Sequence, residues 1–348
     1  MNISKRTFVA VIFALSPLCS EAQEKRTLEL QWDNDSFLDP FGSEFTDRHY
    51  SQGFFVSYWN ADDSDGKSFL GSARLLNAVW SLGMEVEVTR GGWSIGQEIY
   101  TPENIGFGPS SFGVGFSLDA FDLQTDDRPY AGYLYLAPQW ERRGKVSFLG
   151  MDAVPARDRF SIELGVVGPA SGAEAIQTRW HELFNGVVPV GWDNQLENEF
   201  AFKLHAERTW LLRHQVQDSS FGFEIMPTVS FDLGNVSTRL TAGAEVRAGF
   251  GDFRLFDLPS TGGGTDKGVY LFASAEGWAV GRNIFLDGNT FASSHSVDKE
   301  VWVGEASFGV GFNTPTLEGR VAWVGRSREF EIQDGANSYL SLTARFRF

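Results

Sequence analysis

Apolar and polar residues alternate along much of this chain with a period of two. The last ten residues show it most cleanly. Leu340, Leu342, Ala344, Phe346 and Phe348 are apolar, while Ser341, Thr343, Arg345 and Arg347 are polar. Successive side chains of a strand point to opposite faces, so this segment reads as a strand with one apolar and one polar face. The alternation recurs upstream. Leu28, Leu30 and Trp32 oppose Glu29, Gln31, Asp33 and Asp35. Phe200, Phe202 and Leu204 oppose Lys203, His205 and Glu207, and Trp302, Ala306, Phe308, Val310 and Phe312 oppose Glu305 and Ser307. Twelve strands are predicted, near 26–36, 49–60, 92–100, 130–142, 158–168, 197–211, 222–233, 237–250, 267–281, 299–313, 316–328 and 338–348.

A soluble sandwich would bury the apolar faces in a core, and the chain is long enough to build one. Two features favour a membrane barrel instead. The final strand carries its apolar face to a phenylalanine at position 348, as expected where the last strand must pair with the first to close the sheet. Lys5 and Arg6 precede an apolar stretch, Thr7 to Leu18, of signal-peptide length and too short for a spanning helix. Ser20-Glu21-Ala22 offers small residues for cleavage before Gln23. Leu18 before Cys19 is bulkier than a lipoprotein site expects. Residues 1–22 are thus expected to be removed, and 23–348 to form one all-β domain, a transmembrane antiparallel up-and-down barrel of about twelve strands in the outer membrane. No repeat, linker or second domain is visible.

An even strand count puts both ends on the periplasmic side. The connections near 37–48, 101–129, 169–196, 234–236, 282–298 and 329–337 then face outward. The connection 61–91 faces inward and is long, with a short helix expected at Phe69 to Trp80. One outward connection carries its own helix signal at 172–185. Ser171 and Glu174 read as a capping box. Ile176, Trp180, Leu183 and Phe184 form an amphipathic stripe, and Gly186 is a natural C-cap. Gln177, His181 and Asn185 share another face of that helix.

Composition narrows the partners. The formal net charge is −16, and loss of Lys5, Arg6 and Glu21 makes the remainder one unit more negative. Such a surface repels nucleic acid, and repels anionic lipid unless divalent cations intervene. Aromatic residues make up 14%, with 11 Trp and 31 Phe, which suits girdles at two membrane interfaces. The one cysteine lies in the removed segment, so neither a disulfide framework nor thiol chemistry is expected.

Polar residues from six consecutive strands converge on the outer rim. They include Asn34-Asp35, Tyr50-Ser51-Gln52-Gly53, Gln97 with Tyr100-Thr101-Pro102, Asp126-Asp127-Arg128-Pro129-Tyr130-Ala131-Gly132, His181, and Gly191-Trp192-Asp193-Asn194-Gln195. Taken singly, each has an ordinary reading. Asn-Asp is a turn signal, Ser51 a strand hydroxyl and His181 a surface histidine. No nucleophile elbow and no zinc spacing is present. The residues alone lead to a hydrolytic or cation-binding site.

In order and spacing, these pieces, together with Leu164-Gly165-Val166-Val167-Gly168-Pro169 and Arg282-Asn283-Ile284-Phe285-Leu286-Asp287-Gly288-Asn289, resemble the lipid A 3-O-deacylase family of Gram-negative outer membranes. The resemblance runs across nearly the whole chain after the signal segment. It implies a twelve-stranded barrel and calcium-dependent hydrolysis of the 3-linked acyl or acyloxyacyl ester of lipid A. His181 would be the general base. Asp35 with Asn34 would orient the water or hold the metal, and Ser51 stands where the family often has Thr. Arg128, Gln97, Tyr100, Gln177 and Gln195 become candidate substrate-binding residues. The partners implied are lipid A of the outer leaflet and the surrounding lipids, with the protein a monomer. The chemistry is coherent. Histidine ordinarily titrates near neutrality, and a hard cation can neutralise a developing oxyanion.

Two positions depart from the family pattern. Residues 103–125 contain no Lys or Arg where the family carries a Lys, and Val187 stands where it carries a Glu. Rival readings are an inactive structural or binding barrel of the same fold, and a narrow pore. Twelve strands leave a lumen that inward Glu29, Gln31, Lys203, His205, Glu207, Arg345 and Arg347 would plug by pairing.

Overall fold

In the computed structural model, residues 26–35, 48–61, 81–107, 122–184, 188–215, 220–251 and 267–348 are described. The signal segment, the helix expected at 69–80, Asn185, Gly186 and Val187 lie outside them. The described residues form twelve barrel strands: β1 Thr27–Asn34, β2 His49–Trp59, β3 Glu85–Thr101, β4 Ala131–Phe148, β5 Met151–Val167, β6 Glu199–Trp210, β7 Phe221–Gly234, β8 Ser237–Gly251, β9 Gly268–Asn283, β10 Trp302–Asn313, β11 Leu317–Arg326 and β12 Asn337–Arg347. A short strand, Leu212–Gln215, continues β6 along β7.

Each strand pairs antiparallel with its sequence neighbours, and β12 closes onto β1. In that closing ladder Thr27 faces Arg347 and Asn34 faces Leu340. Arg26 N donates to Phe348 O at 2.9 Å, and Phe348 N donates to Arg26 O at 3.0 Å. The terminal strand thus does what its alternation predicts: closure leaves no unpaired edge in lipid.

The outward face is apolar. Phe200, Phe231, Leu271, Trp302 and Phe308 are exposed on it. The inward face is ionic. Arg345 Nη1 and Arg347 Nη2 reach Glu318 Oε2 at 3.0 and 2.8 Å, and Arg345 also pairs with Glu29. Lys203 pairs with Glu163 at 2.9 Å, His205 with Asp232 at 2.7 Å, and Arg157 with Glu207 at 2.8 Å. Every buried charge needs a partner in a low-dielectric interior, and these pairs supply one between neighbouring strands, lining the lumen with ion pairs. The predicted pairing of inward charges is present.

Three strands are longer than the sequence pattern predicts. β3 begins at Glu85, β4 runs to Phe148 and β5 starts at Met151. The charges around 141–158 read as loop, but they pair across adjacent strands. Arg90 and Arg159 meet the two oxygens of Glu141 at 2.8 and 2.9 Å, and Arg142 meets Asp158 at 2.6 Å. Leu149 and Gly150 make the turn with φ of 48° and 80°. Positive φ at both central residues is what a two-residue hairpin needs to match strand twist.

The outer mouth is capped by a plug. A short helix after β9, Ile284–Asp287, buries Ile284, Phe285 and Leu286 in the lumen. Asn283 caps it by accepting from Phe285 N at 3.1 Å, and Phe285 stacks on Tyr100 with centroids 4.0 Å apart. Below this plug a cavity of about 270 Å³ remains, lined by Glu98, Lys203, Asp232 and Glu305 among others.

Candidate functional site on the outer wall

The outer ends of β1, β2 and β3 meet at an irregularity. The β2–β3 ladder pairs Tyr50 with Tyr100 and then Gln52 with Ile99, which leaves Ser51 as a bulged residue. A bulge re-aims side chains and frees backbone groups. Ser51 Oγ shares a hydrogen bond with Thr101 Oγ1 at 2.6 Å. Its carbonyl accepts from Asp35 N at 3.2 Å and from Asn34 Nδ2 at 3.5 Å. Asp35 Oδ2 accepts from Arg48 N at 2.7 Å. Asn34, Asp35 and Ser51 are therefore gathered at one point, and all three are buried. Strand alternation puts Asn34 on the opposite face from Asp33, whose carboxylate accepts from Tyr50 Oη at 2.9 Å and Ser341 Oγ at 2.7 Å on the luminal side, while Asp35 lies just past the end of β1.

The predicted outer helix is α1, Ala173–Phe184. Its start differs from the expected capping box. Ser171 ends a preceding 3₁₀ turn, Pro169–Ser171, and Gly172 carries the left-handed φ of 71°. Gly172 O then accepts from Ile176 N at 3.2 Å, the first helical bond. Ser171 Oγ instead accepts from Ala173 N at 3.4 Å. The helix also turns the opposite way from a soluble amphipathic helix. Ala173, Gln177 and His181 are buried against the wall, while Ile176 and Leu183 are 43% and 60% exposed. That inversion suits a helix outside the barrel, where the surrounding medium is lipid.

Three contacts hold α1 to the wall. Gln97 Nε2 donates to Ser171 O at 2.8 Å. A Cβ on Gly132 would meet Ser171 Oγ at 2.1 Å and Ala173 Cβ at 2.3 Å, so only glycine admits this approach. Trp180 packs on Trp32 with ring centroids 5.5 Å apart. Trp32 lies on the apolar face of β1, two residues before Asn34. Beneath the helix, Ile99, Ile105, Tyr130, Ala173 and Trp192 form an apolar seat. Trp192 Nε1 donates to Gln177 Oε1 at 3.0 Å, and Gln195 Nε2 donates to Trp192 O at 3.0 Å. Gln195 Oε1 is buried without a hydrogen-bond partner.

The wall divides the predicted residues into two groups. Asn34, Asp35, Ser51, Gln97, Gln177, His181 and Gln195 belong to the outer-wall groove or to the segments that build it. Tyr100 and Arg128 belong to the lumen mouth. Tyr100 Oη donates to Glu98 at 2.6 Å, and the fully buried Arg128 pairs with Glu329 at 3.1 Å with its guanidinium 4.8 Å over the Tyr100 ring. This pair braces the groove from behind. Burial favours the neutral form of Glu329, but the Arg326 and Arg128 guanidiniums outweigh it and hold the carboxyl below its ordinary range. Burial pushes the Asp127 carboxyl up, against hydrogen bonds from Glu103 N and Arg128 N. Sequence reasoning missed the Phe285 plug and Glu329, because nothing local marks either as a partner of Tyr100 or Arg128.

Among the described residues, no three His, Cys, Asp or Glu side chains cluster as a metal site. The oxygen donors at the end of β1 are the Asp35 carboxylate and the Asn34 amide. They suit an oxygen-preferring cation in kind, with a single carboxylate as its protein charge.

Set beside known proteins, residues 7–348 match a family model described as outer membrane protein LpxR. No curated protein sequence matches the chain. Among solved structures, LpxR from Salmonella typhimurium has a TM-score of 0.68 at 18% identity, covering 92% of this chain and 100% of that one. The transport unit of the autotransporter AIDA-I from Escherichia coli matches with a TM-score of 0.39 at 10% identity, covering 98% and 96% of the two chains.

Proposed function

Because the chain belongs to the LpxR family of outer-membrane proteins, we propose that it is a lipid A deacylase that hydrolyses the ester of the 3-linked acyl or acyloxyacyl chain. It is a closed twelve-stranded outer-membrane barrel, so its outer wall faces lipid. The observation that carries the reading is the lipid-side gathering of Asn34, Asp35 and Ser51 next to a helix whose buried face is polar, Gln177 and His181. A substrate whose acyl chains already lie in the outer leaflet reaches this groove without leaving the membrane. The luminal ion pairs speak against a pore.

In this reading His181 takes a proton from the water that attacks the ester carbonyl. Asn34 and Asp35 orient that water, and Ser51 donates from the bulge toward the substrate. Asp35 is the residue that would hold a Ca²⁺ ion, and the ion would supply positive charge to the developing oxyanion and bridge an acidic protein to an anionic lipid. Gln97, Gln177 and Gln195 shape the groove, while Arg128 and Tyr100 support it from the lumen. Mass spectrometry of lipid A from cells with and without the protein tests the reading. Loss of a 3-linked chain only in the expressing cells supports it. Identical lipid A in both, with the folded barrel present, leaves the inactive-barrel reading.

A further inference from the structure

A second cavity, of about 450 Å³, opens at the barrel mouth on the luminal side of the wall and is separate from the groove. His49, the first residue of β2, forms part of its wall. Three features of His49 coincide. Its φ is 65°, in the left-handed region that a non-glycine residue avoids. Its side chain is 1% exposed. Neither ring nitrogen has a hydrogen-bond partner. Buried polar atoms are nearly always paired, and a strained backbone that holds an unpaired imidazole against a cavity points to a ligand. The nearest carboxylate oxygen, Asp127 Oδ1, is 3.9 Å from Nδ1. That gap is too long for a direct hydrogen bond and short enough for one small donor to bond both groups.

The charge of the cavity sets the ligand class. Glu103, Asp126, Asp127 and Asp334 line it, and among the described residues no Lys or Arg does. Two guanidiniums lie near His49, and each has a carboxylate partner: Arg48 pairs with Glu103 at 2.6 Å and Arg128 with Glu329 at 3.1 Å. The carboxylates are spread around the wall rather than converging, and among the described residues no three acidic or His side chains are placed to hold a metal ion. Separated negative charges suit a ligand with separated positive charges. An unprotonated imidazole nitrogen accepts from an ammonium group, and the volume lies in the usual range for small-molecule pockets. We infer that the mouth cavity binds a linear organic polyamine, with one ammonium group between His49 and Asp127 and the others facing Glu103, Asp126 and Asp334. The inference does not depend on the deacylase reading.

Titration calorimetry of the full-length barrel in detergent with spermidine, at near-physiological salt, tests it. One saturable site is expected. His49→Phe and Asp127→Asn should each weaken it at least about tenfold, while Asp152→Asn, at the opposite end of the barrel, should leave it unchanged. Should His49→Phe lose heat-modifiable migration, His49→Gln and Asp127→Asn carry the test. Absence of a saturable site overturns the inference. Equal weakening by Asp152→Asn does so as well, because it reveals attraction to overall charge only. Stoichiometric displacement of spermidine by Ca²⁺ or Mg²⁺ would make the cavity a metal site and equally refute it.

Discussion

Replacing Gly132 with alanine adds one methyl group at the point where α1 meets the wall. The added Cβ would lie 2.1 Å from Ser171 Oγ and 2.3 Å from Ala173 Cβ. Carbon atoms pack favourably at roughly 3.5–4.0 Å, so the first turn of the helix must retreat by more than ~1 Å. Strand β4 cannot yield instead, since Gly132 pairs with Ile99 in a continuous ladder. Overpacking of this kind costs about 1–3 kcal/mol, which a closed barrel tolerates. Its larger effect is positional, because the retreating element carries Gln177 and His181. A misplacement of ~1 Å lowers a rate by about a hundredfold where reacting groups must be aligned. Gly132→Ala should therefore fold, migrate as a heat-modifiable barrel and deacylate lipid A about a hundredfold more slowly, as read by mass spectrometry of timed reactions. Gly277→Ala is the control, since a Cβ there meets nothing within 4 Å. A Gly132→Ala enzyme with the unmodified rate would refute the claim that close docking of α1 positions the catalytic groups.

Four further outcomes are expected. His181→Ala should lose about 10²–10⁴-fold in deacylation while keeping barrel migration, and an unchanged rate would remove His181 as the base. Chelation should abolish activity, and calorimetry should show Ca²⁺ binding that Asp35→Asn loses; full activity after chelation would exclude the metal. An epitope inserted at exposed Asp334 should bind antibody on intact cells and one at exposed Leu149 only after permeabilisation, with the opposite pattern inverting the barrel in the membrane. Glu329, held below its ordinary pKa, contributes stability that is complete above the ordinary glutamate value and lost as pH falls through its lowered value. Acid lowering of the unfolding temperature should accordingly be shallower in Glu329→Gln, and an unaltered acid slope would dissociate that pair from stability.

The strand count, the closure of β12 on β1, and the sorting of apolar and ionic faces were all legible in the residues, because a period-two pattern is local and each strand carries its own copy. The outer helix was legible for the same reason, from spacing and a glycine. Its orientation was not. Ile176 and Leu183 look like a core-facing stripe until the barrel wall takes the opposite face of the helix, with Ala173, Gln177 and His181, beneath it.

Three features belong to the tertiary structure alone. The bulge at Ser51 is a mismatch between two strands, so neither strand's sequence records it, yet it joins Ser51 to Asn34 and Asp35. The separation of Tyr100 and Arg128 from the groove follows from which side of a thin wall each residue faces at a strand end, where alternation lapses. The inner ends of β3, β4 and β5 read as loops because charge normally marks solvent. Only the partners brought by neighbouring strands, Asp158 for Arg142 and Glu207 for Arg157, turn that charge into sheet. Periodicity within a segment is written in the segment; pairing between distant segments exists only once the sheet has closed.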